Sequence, residues 1–211
     1  MTRVQLLGLA ALIGLLTGGC GHGGSQNVAP GPRPPGPKDL PPPDAIPGAF
    51  TVRQKLTARS AHGGGSFEAV LQKRPGELLL VGLTPYGSRA FVLRQTAGDV
   101  QFTSYLPRDL PFPPAYMLLD IHRVLDAWLG SGPAAGERAM VVAGERIAER
   151  WRDGRLVERT FARAAPGPAG ERPGEIKISY RGEGPAGLAA VVELENGRFG
   201  YSLTIESVSV Q

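Results

Sequence analysis

Histidines at positions 22, 62 and 122 and a lone cysteine at position 20 are the strongest potential bases, nucleophiles and metal ligands in this chain of 211 residues. The stretch His62-Gly63-Gly64-Gly65 has the residue order of an oxyanion-hole loop in some lipases. No Gly-x-Ser-x-Gly nucleophile elbow accompanies it, so a flexible hairpin loop between two strands accounts for it better. His122 and Asp126 stand four apart, the spacing of neighbours on one helix face, and an exposed ion pair explains them. Three dispersed histidines and one cysteine do not make a histidine-rich or thiolate metal site, and the carboxylates are spread singly through the chain. Nothing converges on a reaction. The expectation is a non-enzyme with no catalytic residues, no metal and no cofactor.

Cys20 has a different setting. A positive start, Met1-Thr2-Arg3, is followed by the apolar run Leu6 to Leu16 and then by Gly18-Gly19 immediately before the cysteine. That is the layout of an export signal. The run is too short for a comfortable membrane span, which needs roughly 20 apolar residues. The segment resembles the bacterial lipobox, in which cleavage precedes a lipid-modified cysteine, although Thr17 stands where the motif usually has leucine and Leu16 lies one place earlier. A single exported thiol has no intramolecular disulfide partner. Lipidation of Cys20 accounts for both its solitude and its position, and Gly21 after it resembles residues compatible with sorting to the outer membrane.

Residues 1–19 are therefore expected to be a lipoprotein signal peptide and residues 20–48 a tether. The stretch Asn27 to Gly48 is dominated by proline and glycine and has neither helical nor strand periodicity. Residues 49–211 are the size of one domain and can bury a real core. The net charge of +4 comes from basic and acidic residues that alternate. No basic and aromatic platform appears, so nucleic acid is not an expected partner.

The domain reads as a mainly β structure with one principal amphipathic helix. From Phe50 the apolar residues Phe50, Val52, Leu56 and Ala58 alternate with Thr51, Arg53, Lys55, Thr57 and Arg59. Further strand-like segments follow between turn residues, among them Pro75-Gly76, Pro85-Tyr86-Gly87 and Ala97-Gly98-Asp99. Asp153-Gly154 and Asn196-Gly197 are favoured for tight hairpins. About ten strands are expected, in an antiparallel meander. Between Pro113-Pro114 and Gly130, the residues Met117, Leu118, Ile121, Val124, Leu125, Trp128 and Leu129 recur at helical spacing, with Asp120, His122, Arg123 and Asp126 expected on the solvent face. The helix must hide its apolar stripe, and the concave face of the sheet is the economical place.

The order of these features resembles the outer-membrane lipoprotein receptor LolB, the LolA-like carriers and allied bacterial lipoproteins of unknown function. The resemblance is carried by SFEAVLQKR, LLLVGLTPYGS, GDVQF, PFPPAYMLLDIHRVLDAWLG, ISYRGEG, AVVELENG and YSLTIESV in that order, and it spans most of residues 49–211. It implies an antiparallel half-open β-barrel of the LolA/LolB type with the helix on its concave face. In LolB-like receptors a Pro-Leu-Gly hairpin projects a leucine into membrane. The matching positions are Pro85, Tyr86 and Gly87, with tyrosine in place of leucine.

Expected partners are thus a membrane, through the lipid anchor, together with acyl chains, lipoproteins or a periplasmic carrier. The expected location is the bacterial cell envelope, at the outer membrane and facing the periplasm. If acyl chains bind, the helix face of Leu118, Ile121, Leu125 and Trp128 should oppose Phe67, Leu80, Val92 and Phe102 across a cavity lined by all eight. The alternative is a non-catalytic envelope scaffold with a filled core.

Overall fold

The computed structural model describes residues 40–61, 63–107, 113–130, 132–164 and 174–208. Eleven strands make one antiparallel sheet: β1 (Phe50–Ser60), β2 (Gly63–Arg74), β3 (Glu77–Leu83), β4 (Arg89–Thr96), β5 (Val100–Ser104), β6 (Gly136–Val142), β7 (Glu145–Arg152), β8 (Arg155–Arg163), β9 (Ile176–Arg181), β10 (Val191–Asn196) and β11 (Tyr201–Val208). One α-helix, α1 (Ala115–Leu125), lies in the connection from β5 to β6. The spatial order is β5-β4-β3-β2-β1-β11-β10-β9-β8-β7-β6. Each strand pairs with its sequence neighbour except at two places. There β1 pairs with β11, and the sheet stays open between β5 and β6.

Alternation on β1 buries Val52, Gln54, Leu56 and Ala58 and exposes Thr51, Arg53 and Lys55. The same period carries Leu71, Leu80, Leu93, Ile178, Leu194, Leu203 and Ile205 into the core. Side chains from β4, β8, β9 and β11, spread across almost the whole sheet, all bond to α1. A sheet whose distant strands reach one helix must curve around it, so α1 occupies the concave face.

Four local expectations need correction. Among the described residues there are eleven strands, of which β6 was not expected. Its residues are almost all exposed, Met140 and Val141 among them, so they show no apolar alternation. Its hairpin to β7 turns on Ala143-Gly144, both at positive φ, as does Asp153-Gly154 between β7 and β8. The Asn196-Gly197 hairpin exists but is a longer loop, residues 197–200, in which the Asn196 side chain accepts from the N–H groups of Arg198 and Phe199. Gly63–Gly65 belong to β2 rather than to a loop. Finally, the end of the supposed tether is part of the fold. Pro43–Ala45 form a 3-10 turn, Ile46 is buried, and Asp44 bonds both Lys73 Nζ (2.9 Å) and the Gly76 N–H (2.8 Å).

The helix is shorter and more enclosed than its pattern suggests. It stops at Leu125, where Asp126 turns extended (ψ 147°), so Trp128 and Leu129 lie beyond it. Its expected solvent face is buried: Asp120, His122, Arg123 and Asp126 are all in the interior. The physical reason is that each of them has a partner, Gln95 and Tyr201 of the sheet for His122 and Asp120, and Asp120 and His122 in turn for Arg123 and Asp126, which removes the usual penalty for burying polar groups. Among the described residues no helix is long and apolar enough to cross a membrane.

Candidate functional site

Polar groups of the sheet first hold the helix. A helix leaves its last carbonyls without intrahelical partners and with partial negative charge. Here Arg159 of β8 donates through Nη1 to Arg123 O (2.8 Å) and Val124 O (3.3 Å), Tyr180 of β9 donates to Val124 O (2.9 Å), and Trp128 Nε1 donates to His122 O (3.0 Å). Burial raises the Tyr180 pKa to about 12, against the opposing effect of Arg159, so the phenol keeps the proton it donates. Arg159 is itself neutralised by Glu149, its cross-strand partner, through Nε (3.0 Å) and Nη2 (2.8 Å) to Oε1. Glu149 Oε2 accepts from Arg138 (2.7 and 3.0 Å) and Trp151 Nε1 (3.1 Å). Burial alone would push the Glu149 pKa up, but this set of donors outweighs it and holds the carboxyl below its ordinary range.

The other side of the helix is pinned the same way. His122 sits between Asp126 (Nδ1 to Oδ1, 2.8 Å) and Gln95 of β4 (Nε2 to Oε1, 2.8 Å), wholly buried. Asp120 accepts from Arg123 (3.1 Å) and from the Tyr201 hydroxyl, which in turn accepts from Asn196 (3.1 Å). Burial raises the carboxyl pKa of both Asp120 and Asp126, against the stabilising pull of their cationic or hydrogen-bonding neighbours. All these groups are engaged in holding the helix. Among the described residues, no group of three or more His, Cys, Asp or Glu is placed to hold a metal ion.

With the helix fixed at this height, the space between its apolar side and the sheet is not filled. A cavity of about 820 Å³ remains, bounded by Leu56, Phe67, Leu71 and Leu80 on one wall, Met117, Ile121, Val124 and Leu125 on the helix, and Val192, Leu203 and Ile205 opposite. Its exposed lining residues come from one end of the molecule only: Pro47, the helix exit at Ala127 and Gly130, the β7–β8 turn from Arg152 to Arg155, and Gly182, Glu183 and Gly187 between β9 and β10. The mouth therefore opens at that end. Inward, Phe67 is backed by Phe91 (ring centroids 6.3 Å) and Phe102 (6.0 Å from Phe91), and the Phe91 ring lies over Gly82, where a Cβ would come within 2.2 Å of it.

Of the eight residues expected to line an acyl site, Phe67, Leu80, Ile121 and Leu125 line this cavity. Leu118 is fully buried on the helix, Phe102 stands behind the aromatic floor, and Trp128 packs edge-on against Phe161 (5.4 Å) beyond the helix end. Val92 faces the opposite side of the sheet, because Phe91 and Leu93 on either side of it point inward. The turn of Pro85, Tyr86 and Gly87 closes through Gly87 N–H to Thr84 O (2.9 Å) and leaves Tyr86 96% exposed, at the end of the sheet opposite the cavity mouth. Cys20 and His62 lie outside the described residues.

Among the lining residues that the sequence reading did not name, two are polar groups on facing strands. Gln54 occupies an inward position of β1 between Val52 and Leu56, and Ser207 sits directly opposite it on β11 in the same register. The signal was available: a single polar residue interrupts an otherwise apolar strand face at each place.

Residues 51–209 match the model of a family described as a protein of unknown function, DUF3261, and the match spans most of the chain, which belongs to that family. No curated protein matches the chain significantly.

Proposed function

From that family membership, which carries no activity with it, and from the open cavity between helix and sheet, we propose that this is an envelope lipoprotein, anchored through Cys20 at the outer membrane and facing the periplasm, that binds acyl chains or the lipid moieties of lipoproteins. On this reading it is a non-catalytic acceptor of the LolA/LolB kind. Its place would be in delivery of lipid or lipoprotein to the outer membrane, with a periplasmic carrier as donor.

The observation that supports the reading best is the cavity itself. A packed domain leaves few voids larger than a water molecule, whereas about 820 Å³ bounded chiefly by Leu, Ile, Phe, Val and Met side chains and open at one end is in the range of ligand sites. Hydrocarbon suits the apolar walls of such a space, and a charge there meets a large desolvation cost. The apolar run before Cys20 adds a reason for the protein to meet acyl chains at all.

Titration with a fluorescent fatty acid tests it. Leu125→Glu puts a carboxylate on the cavity wall and should weaken binding by roughly tenfold or more. Lys55→Glu, which places the same carboxylate on the outer face of β1, should leave it unchanged. Equal binding by both folded variants, or none by the parent protein, would leave a scaffold without a lipid ligand as the better account.

A further inference from the structure

We infer that Gln54 and Ser207 form a polar subsite that holds the ester or amide carbonyl of an acyl ligand, with the hydrocarbon running inward from it toward Phe67. This inference rests on the acyl-binding reading and adds to it the chemical class of the ligand.

Gln54 is only 8% exposed and faces the cavity, yet among the described residues its side-chain amide has no hydrogen-bond partner. Every other strongly buried polar side chain on the concave face is engaged: His122 with Gln95 and Asp126, Arg159 with Glu149, Asp120 with Arg123 and Tyr201. Its polar atoms are not sealed off but open to solvent in the cavity, so a ligand that displaces this solvent leaves the amide unpaired, at a cost of about 1–3 kcal/mol, unless it brings a hydrogen-bonding group of its own.

Ser207, half-buried, lines the cavity beside Gln54. It lies directly across from Gln54, where paired side chains stand about 5 Å apart, and its hydroxyl also has no partner among the described residues. On the other flank of Gln54 the paired residue is Ala69, too short to reach the amide or to fill the space beside it. The two polar groups form one level in an apolar wall. Leu56, Ile205 and Val192 lie deeper, and Pro47, Leu188 and Ala189 lie toward the mouth.

The charges at the mouth decide what kind of polar group belongs there. Arg152 and Arg155 are matched by Asp153 and Glu183, with Arg155 bonded to Glu183 at 2.5 Å, so the rim has no excess charge to recruit an anion. Arg159, the cation deeper in the wall, is already neutralised by Glu149. A free carboxylate at the level of Gln54 would thus lose its hydration without gaining a counter-ion. A neutral carbonyl accepts from the Gln54 amide and the Ser207 hydroxyl without that cost. A few placed polar groups in an apolar pocket orient a ligand in this way.

Displacement of the apolar fluorophore N-phenyl-1-naphthylamine by methyl laurate, laurate and dodecane tests the inference. The full chain is used with Cys20→Ala, which leaves it no acyl group of its own. Gln54→Leu should weaken methyl laurate by roughly fivefold to tenfold, the worth of a neutral hydrogen bond in a dry site, and leave dodecane unchanged or tighter. Ser207→Ala should remove part of the same preference, and laurate should compete less well than its methyl ester. An unchanged fluorophore affinity in both variants reports an intact cavity, and if Gln54→Leu loses it, Ser207→Ala decides. Equal effects on methyl laurate and dodecane would overturn the subsite while leaving acyl binding in place. Failure of the parent to bind the fluorophore, or of any of the three chains to displace it, would overturn the acyl-binding reading and the subsite with it.

Discussion

The side-chain amide of Gln95 determines where the protons of His122 lie. Its nitrogen donates to Pro41 O (2.7 Å), which turns its oxygen toward His122 and requires a hydrogen on Nε2. Nδ1 then faces Asp126 with one proton between the two groups. Asp126 was expected on a solvent face, where its loss would not matter. In the interior, Asp126→Ala strands a buried ring nitrogen and should destabilise the protein by about 2 kcal/mol. Asp126→Asn, whose amide can donate to a bare Nδ1, should keep most of that stability. Urea midpoints at neutral pH compare the three proteins, and a midpoint unmoved in Asp126→Ala would mean that water reaches this pair. The hydrogen bonds also tie the segment ahead of β1 to the cavity wall, since Pro41, Gln95, His122 and Asp126 form one chain and Asp126 is a lining residue.

At the scale of elements, α1 and the β7–β9 part of the sheet depend on each other. The helix has no side-chain cap at its start, and its last carbonyls are satisfied by Arg159 and Tyr180, so the Glu149–Arg159 pair is the support of the helix end. Glu149→Gln removes the countercharge from a buried arginine and should cost about 3 kcal/mol. The effect should depend on pH with a definite sign. Native Glu149 has its pKa below the ordinary value of 4.5, so in the window between the two the unfolded chain holds the proton and the native protein does not. The stability gap between wild type and Glu149→Gln is therefore full above pH 4.5 and shrinks as pH falls through the native value. A gap that widened in acid would contradict the assignment. The same elements show what the sequence could and could not reveal. Period-two alternation made most strands legible, with Phe67 and Leu80 of the cavity, and apolar residues at helical spacing revealed α1 with Ile121 and Leu125. The polar side of α1 was misread because a sequence shows where charges fall on a helix but not whether a sheet will meet them. Strand β6 was missed because both of its faces are largely exposed, which erases the alternation.

The whole molecule is a ring of strands opened at one seam, and this topology separates two ends with different properties. The chain joins the fold at the mouth end, where Pro41, Asp44 and Ile46 are fixed and Pro47 lines the cavity. The hairpin of Tyr86 stands at the other end. If Cys20 carries the anchor, the number of residues from there to Leu40 limits the separation of domain and bilayer to about 60 Å. The end at which the chain enters the fold is then on average the one nearer the bilayer. The cavity mouth should then face the membrane, in position to exchange acyl chains, with Tyr86 turned away from it. A thioether-linked Cys20 takes no thiol label, so Glu183→Cys at the mouth and Tyr86→Cys at the far turn can each carry one fluorophore. In vesicles holding the acylated protein and a quencher buried in the bilayer, the label at 183 should be quenched more strongly than the label at 86. The reverse order would make the Tyr86 turn the membrane-facing element, as the resemblance to LolB-like receptors implies, and would direct the mouth toward an incoming carrier instead.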